Sequence, residues 1–278
     1  MSIESMLQSI CGANLFDSIF ETLSVNLFSP SGKFAPMLGI VRSIYDFATT
    51  VGVMLMFIYF LVSFMDITTA ENFSWEQLWR QFAMLIAAKF LMEHGFELLN
   101  LMFNFGMEVT AELSQLSGLD IPQTSFDAKA ILDAYRAQLN LPTILSALGI
   151  DYLIIWIFLL IPWLASWLMC GFVSLICYGR VIEIYVRAAM APIALSDFFN
   201  RGLQGSGWRF LKSFLAVCLQ GATILIIAIL YSKLFVVLTV DPTIELSQLI
   251  LQFLIFYGAA VMLLFKSQAL TKELMGIN

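Results

Sequence analysis

The sequence predicts an all-α fold: a polytopic integral membrane helix bundle of about five transmembrane helices, with further amphipathic helices at the N-terminus and in an external loop. Of the 278 residues, 60% are hydrophobic and only 12% are charged, and the mean hydropathy is +0.88. A water-facing surface would not accommodate 25 Phe and 14 Met with so few charges. Several uncharged stretches also have the length of about 20 residues that a helix needs to cross the hydrocarbon core.

Residues 1–35 are predicted to form an external amphipathic segment ahead of a single transmembrane domain, residues 36–278. No basic stretch precedes an apolar core in this segment, so a cleavable signal peptide is not expected. Its apolar residues recur at near-helical spacing: Leu7, Ile10, Leu15 and Ile19.

Four uncharged stretches are predicted to cross the membrane. They are residues 47–65, 152–179, 213–232 and 246–265. The helix of the first stretch is expected to begin near Pro36, and Gln220 with Gly221 interrupts the third. Asp241 and Pro242 suit the first turn of the last helix, and Lys266 marks its exit from the membrane.

A fifth crossing is predicted within one long helix of about 40 residues. Ser74 and Gln77 have the spacing of a capping box, and Gly118 offers a stop. This length exceeds a single crossing, so part of the helix is expected to lie on or beyond the membrane surface.

Six polar residues of that helix fall within an arc of roughly 100° at helical spacing. They are Lys89, Glu93, Glu97, Asn100, Asn104 and Glu108, and we call them the polar stripe. The opposite side is apolar: Ala88, Leu91, Met92, Phe96, Leu99, Met102 and Phe103. Charges within a membrane are costly and usually face a bundle interior, a partner or water, so the stripe is a candidate pore lining or interface. There are two alternatives. Lys89 could form an ion pair with Glu93 and Glu97 that locks two helices together, or the helix could lie flat in the membrane interface.

The orientation follows from the connections, because basic residues stay on the cytoplasmic side. The segment 180–212 is the most basic, with Arg180, Arg187, Arg201, Arg209 and Lys212. We therefore expect an external N-terminus, a cytoplasmic elbow at 180–212 and a cytoplasmic C-terminus. The external loop, residues 107–150, is expected to contain a short amphipathic helix that begins near Thr124 and Asp127.

The elbow has a helical face and an expected break. Arg180, Glu183 and Arg187 share one face, and the last two are spaced for an ion pair. Pro192 predicts a helix break around Met190, and the chain then passes Asp197 and Arg201. Ser206 is expected to cap a helix that begins at Trp208. A purely topological anchor of positive charge would also explain this segment.

The segment RVIEIYVRAAMAPIALSD, followed by a glycine-containing turn, WRFLKSF and LQGA, also carries a family resemblance. It resembles the TrbL-like polytopic membrane channel subunits of conjugative type IV secretion systems, particularly those of mobile elements in Gram-positive bacteria. The resemblance is strongest over residues 180–225. It implies a non-enzymatic inner-membrane channel or scaffold subunit that forms a ring-like homo-oligomer.

The resemblance also implies partners: other secretion subunits, separate ATPases, and single-stranded DNA bound to relaxase, or protein, as cargo. On this basis the basic residues of the elbow would line or flank the cytoplasmic mouth, Pro192 would fix the elbow, and Gln220 would offer a hydrogen bond between helices. No cofactor is implied.

Two other classes of function would place specific demands on this sequence. A secondary transporter or ion-coupled permease would use Lys89, Glu93, His94 and Glu97 as an ion or proton relay. An intramembrane enzyme lacks its motifs, since the sequence has no HExxH and no GxSxG. No metal site is predicted, because His94 is the single histidine and no cysteine lies near it.

Overall fold

The computed structural model describes Met6 and residues 22–23, 25–69, 75–116, 150–198, 205–239 and 246–276. Throughout these residues the regular structure is helical, which confirms the all-α prediction. The long helices are α1 (Ala35–Thr69), α2 (Trp75–Glu93), α3 (Gly95–Leu116), α4 (Ile150–Leu195), α5 (Ser206–Thr239) and α6 (Leu246–Leu274). The amphipathic pattern at residues 7–19, the loop helix near Thr124, the Asp241 cap and Arg201 lie outside the described residues.

Four helices are long and apolar enough to cross a membrane. They are Ala35–Thr69, Leu159–Leu195, Ser206–Tyr231 and Leu251–Leu274, and they contain most of each of the four uncharged stretches. The fifth predicted crossing, which forms α2 and α3, is not among them. Its apolar stretches are interrupted by charged and amide side chains.

The prediction of one continuous helix from Ser74 to Gly118 was wrong, because α2 ends at Glu93 and α3 begins at Gly95. The hydroxyl of Tyr45 in α1 donates a hydrogen bond to the carbonyl of Met92 at 2.7 Å, and the backbone of Phe96 lies beside the same hydroxyl. Met92 and Phe96 are four residues apart, so their backbone groups would bond each other in a regular helix. A side chain inserted into this ladder breaks it.

The predicted break at Met190 was also wrong. Helix α4 continues through Pro192 and ends at Leu195, and the Ser196 N–H donates to the Pro192 carbonyl at 3.0 Å. Proline removes one backbone hydrogen bond from the last turns of this helix. Ala188, Ala191 and Leu195 are fully buried around it, so tertiary packing offsets the missing bond.

The chain divides into two compact units, and α3, α4, α5 and α6 contribute residues to both. The first unit comprises Met1–Ser24, Ala111–Tyr178 and Ala222–Ser267. Its core is formed by α4, α5 and α6, with Met169, Val173, Ile224 and Phe253 buried. The rings of Tyr231 and Phe256 stack at 4.3 Å between centroids.

The second unit comprises Val25–Thr110, Gly179–Gly221 and Gln268–Asn278. Phe28 is central to its aromatic packing, with its ring 5.5 Å from Phe96 and 5.2 Å from Phe103. The apolar side of α2 and α3 packs into this core. Every residue of the candidate site described below belongs to this unit.

Candidate functional site

The polar stripe lies on the surface of the second unit. Lys89 and Glu93 are on α2, and their side chains are 60% and 53% exposed with 3.6 Å between Nζ and Oε1. Glu97 lies in the first turn of α3, and its carboxylate lies 3.4 Å from His94 Nδ1. The ion pair of Lys89 therefore joins two turns of one helix and does not lock two helices together.

The rest of the stripe lies on α3, and a close contact between the opposite side of α3 and α5 fixes the direction in which the stripe faces. A Cβ placed on Gly106 would lie 2.7 Å from the backbone oxygen of Cys218 in α5, so only glycine allows this approach. At 100° per residue, Glu97, Asn104 and Glu108 lie about 160–200° around α3 from Gly106. All three are exposed, and Asn104 donates to Asn100 at 3.4 Å. The stripe therefore faces away from α5.

Arg180 lies inside the helix packing, with only 6% of its surface exposed. Its Nε donates to the Val217 carbonyl at 3.2 Å and one terminal nitrogen donates to the Cys218 carbonyl at 2.9 Å. The guanidinium fills the space beside Gly221, where a Cβ would lie 2.7–2.9 Å from its atoms. Arg180 therefore joins α4 to α5.

Glu183 and Arg187 form the predicted ion pair, which is confirmed at 2.7 Å. Arg187 also donates to the Ser213 hydroxyl at 2.7 Å, which links α4 to α5. The amide of Gln268 donates to both oxygens of Glu183, at 2.6 and 2.8 Å, which links α4 to the end of α6. Sequence reasoning missed Ser213 and Gln268 because no local pattern relates them to residues 26 and 85 positions away.

The start of α5 presents the remaining basic residues. The helix begins at Ser206 and not at Trp208 as predicted, because Asp197 accepts hydrogen bonds from both the Ser206 N–H and the Ser206 hydroxyl at 2.7 Å. Arg209 is exposed, and Lys212 Nζ lies 5.8 Å from the centre of the Trp208 ring. Farther along α5, Gln220 is buried, and its interhelical hydrogen bond stays a prediction.

The exposed charged and amide side chains of the polar stripe, and the basic side chains at the start of α5, can bind a partner through ion pairs and hydrogen bonds. Within the described ranges, no group of three or more His, Cys, Asp or Glu side chains is arranged to hold a metal ion.

The family of the chain follows from comparison with known proteins. A family model described as "TrbL/VirB6 plasmid conjugal transfer like protein" matches residues 43–192, which are 150 of the 278 residues. The chain belongs to this family. It is therefore a membrane protein and a component of conjugal transfer by type IV secretion. No curated protein and no solved structure gives a significant match.

The matched span of this TrbL/VirB6 protein begins in α1, includes α2 and α3, and ends at Pro192 in α4. It thus includes the whole polar stripe, and it covers the elbow segment, residues 180–212, only as far as residue 192. The family consists of structural components of secretion systems and is not a known enzyme family. It gives no support to the transporter alternative.

Proposed function

We propose that this TrbL/VirB6 protein is a non-enzymatic channel or scaffold subunit of a conjugative type IV secretion machine in the cytoplasmic membrane. It assembles as a ring-like homo-oligomer with other secretion subunits, and it helps to pass single-stranded DNA bound to relaxase, or protein, across the membrane. Separate ATPases supply the energy. The N-terminus is outside, the C-terminus is cytoplasmic, and the segment 180–212 lies on the cytoplasmic side.

One observation supports this role most directly: α2 and α3 expose both an apolar surface and the polar stripe. Trp79, Ile86 and Phe90 on α2 are 71%, 69% and 63% exposed, and Leu101 on α3 is 66% exposed. Lipid can cover these apolar side chains. Charged groups beside them require water or a partner, because charges facing lipid are costly. A water-filled path or a neighbouring subunit satisfies that requirement.

A mating assay tests the role. In donor cells that lack the gene, the wild-type chain is expected to restore conjugation, and a chain with Glu108→Lys is expected to lower transfer at least tenfold because it reverses an exposed charge of the stripe. Glu76→Lys is the matched control, because Glu76 is an exposed glutamate of α2 outside the stripe, and it is expected to transfer normally. Immunoblots of the membrane fraction verify equal amounts of each variant.

Two results would overturn the role. Transfer that persists without the gene would show that the machine does not need this subunit. A purified protein that is monomeric in native mass spectrometry, after extraction in several mild detergents, would contradict the ring-like assembly.

A further inference from the structure

Helices α3 and α5 are in close contact and carry opposite charges on their outer sides. Gly106 of α3 packs on Cys218 of α5, which defines the inner side of each helix. Glu97 lies about 180° around α3 from Gly106, and Arg209 lies about 180° around α5 from Cys218, at 100° per residue. Both residues are exposed. An acidic face and a basic face therefore point in opposite directions from the α3–α5 contact.

The two helices run in the same direction. A Cβ on Gly95, the first residue of α3, would lie 2.9 Å from Leu195 at the end of α4. Asp197, two residues after that end, accepts hydrogen bonds from Ser206, the first residue of α5. Both helices thus begin at the end of the unit where α4 terminates.

The charges also lie at matching heights. Glu97 comes nine residues before Gly106, and Arg209 comes nine residues before Cys218, so both lie about 14 Å from the contact along parallel helices. A carboxylate on one side of the unit and a guanidinium on the other side therefore lie at the same height along the helix axes.

We propose that the occupant of the α3 face is a second copy of this chain: Glu97 of one copy binds Arg209 of the next. This contact deepens the homo-oligomer of the proposed function and rests on it. Two different patches meet, so the interface is heterologous and head-to-tail, the type that closes into a ring when the rotation allows. Copies that share one membrane orientation keep the two faces at the same height.

Charge argues against three other occupants of this face: a symmetric second copy, nucleic acid and lipid tails. A symmetric pairing would place Glu97 against Glu97, and like charges at close range repel. Nucleic acid carries phosphates, which Glu97 and Glu108 repel. Lipid tails offer no partner to either carboxylate.

Charge reversal in the full-length membrane protein tests the pairing. Glu97→Lys and Arg209→Glu are each expected to lower the fraction of ring-sized complex in native mass spectrometry at least fivefold, because each places like charges across the interface. The double variant Glu97→Lys with Arg209→Glu is expected to restore it. Glu76→Lys, which makes the same change outside both faces, is the control. Single variants that damage the ring without rescue in the double variant would overturn the pairing.

Cross-linking in native membranes gives a readout that is independent of stability. In a chain with Cys11, Cys170, Cys177 and Cys218 changed to alanine, the pair Glu97→Cys and Arg209→Cys is expected to form a ladder of cross-linked multimers on oxidation. One chain cannot link to itself, because the two positions face opposite ways. Either single cysteine is expected to leave the chain as a monomer, and coexpression of the two single variants is expected to stop at a dimer.

The outcomes separate this contact from the proposed function. A ring seen by native mass spectrometry without the 97–209 ladder would overturn the contact and leave the channel role standing. A dimer formed by Glu97→Cys alone would indicate a symmetric interface and also overturn it. A chain that is monomeric in both experiments would overturn the contact and the ring together.

Discussion

The hydroxyl of Tyr45 occupies the position in the α2–α3 backbone where the hydrogen bond between Met92 and Phe96 would otherwise form. It donates to the Met92 carbonyl at 2.7 Å and lies beside the backbone of Phe96. Gly95 makes room for it, since a Cβ there would lie 2.6 Å from the hydroxyl oxygen. A residue of α1 therefore decides where α2 ends and in which direction the polar stripe continues on α3.

Removing this hydroxyl is expected to change the joint between α2 and α3. In Tyr45→Phe, the Met92 and Phe96 backbone groups either bond each other, which straightens the joint, or remain unsatisfied at a cost of about 1–3 kcal/mol. Spin labels at Ile86 and Leu101, both exposed, report the distance across the joint by pulsed electron resonance. The expected result is a shift of the distance distribution together with a lower midpoint of thermal unfolding in detergent.

Tyr59→Phe is the control for this substitution, because Tyr59 is a partly buried tyrosine of the same helix. Identical label distances and unfolding midpoints in Tyr45→Phe and the wild type would show that the inserted hydroxyl does not hold the joint.

A methyl group at Gly221 is expected to destabilise the protein only while Arg180 is present. Alanine is favoured over glycine inside a helix by about 1 kcal/mol, but here its Cβ meets the guanidinium. Overpacking of this kind costs about 1–3 kcal/mol. Gly221→Ala should therefore lower the unfolding midpoint in the wild type and leave it equal or higher in an Arg180→Met background. The same decrease in both backgrounds would contradict the steric explanation.

The ion pair of Glu183 with Arg187 is expected to contribute more to stability than the pair of Lys89 with Glu93. The first pair is 22–27% exposed and Gln268 also binds it, whereas the second is more than half exposed. Hydrogen bonds to partly buried charges contribute about 1.5–3 kcal/mol each, and exposed ion pairs about 0.2–1 kcal/mol. Glu183→Gln should lower the unfolding midpoint clearly more than Glu93→Gln. Equal effects would indicate that solvent screens both pairs alike.

The α3–α5 contact is expected to tolerate no side chain at Gly106. In Gly106→Ala the Cβ would meet a backbone oxygen, which cannot rotate away as a side chain can, so a loss of about 1–3 kcal/mol is expected. Gly258→Ala in α6 is the matched control, because nothing lies within 4 Å of its position, and it should be neutral or slightly stabilising. The midpoints of thermal unfolding of the two variants in detergent test this prediction. An unchanged midpoint in Gly106→Ala would mean that α3 and α5 can move apart without a loss of stability.

Local patterns predicted the helices and part of the candidate site. Uncharged length located the four candidate spans, and helical spacing placed the polar residues of the stripe on one side of α2 and α3 and the apolar residues on the other. The spacing of Glu183 and Arg187 predicted their ion pair. Each of these features depends on residues that are neighbours along one helix, so the sequence alone displays them.

Two of the wrong helix boundaries, those at His94 and at Pro192, have one physical cause, which is tertiary contact. Local rules favoured a continuous helix through His94 and a break before Pro192, and the opposite occurred at both positions. Tyr45 supplies a hydrogen bond that interrupts the first helix, and buried alanine and leucine side chains hold the second together past its proline.

The sequence by itself determined that this protein is a helical membrane protein with a charged stripe and a basic elbow, because composition and periodicity are properties of single helices. Only the tertiary structure decided that Arg180 binds the carbonyls of α5, that Gln268 binds Glu183, and that Glu97 and Arg209 lie at one height on opposite sides. Those relationships join residues that are far apart in the chain, and they arise when helices pack at glycine contacts and buried polar groups find partners.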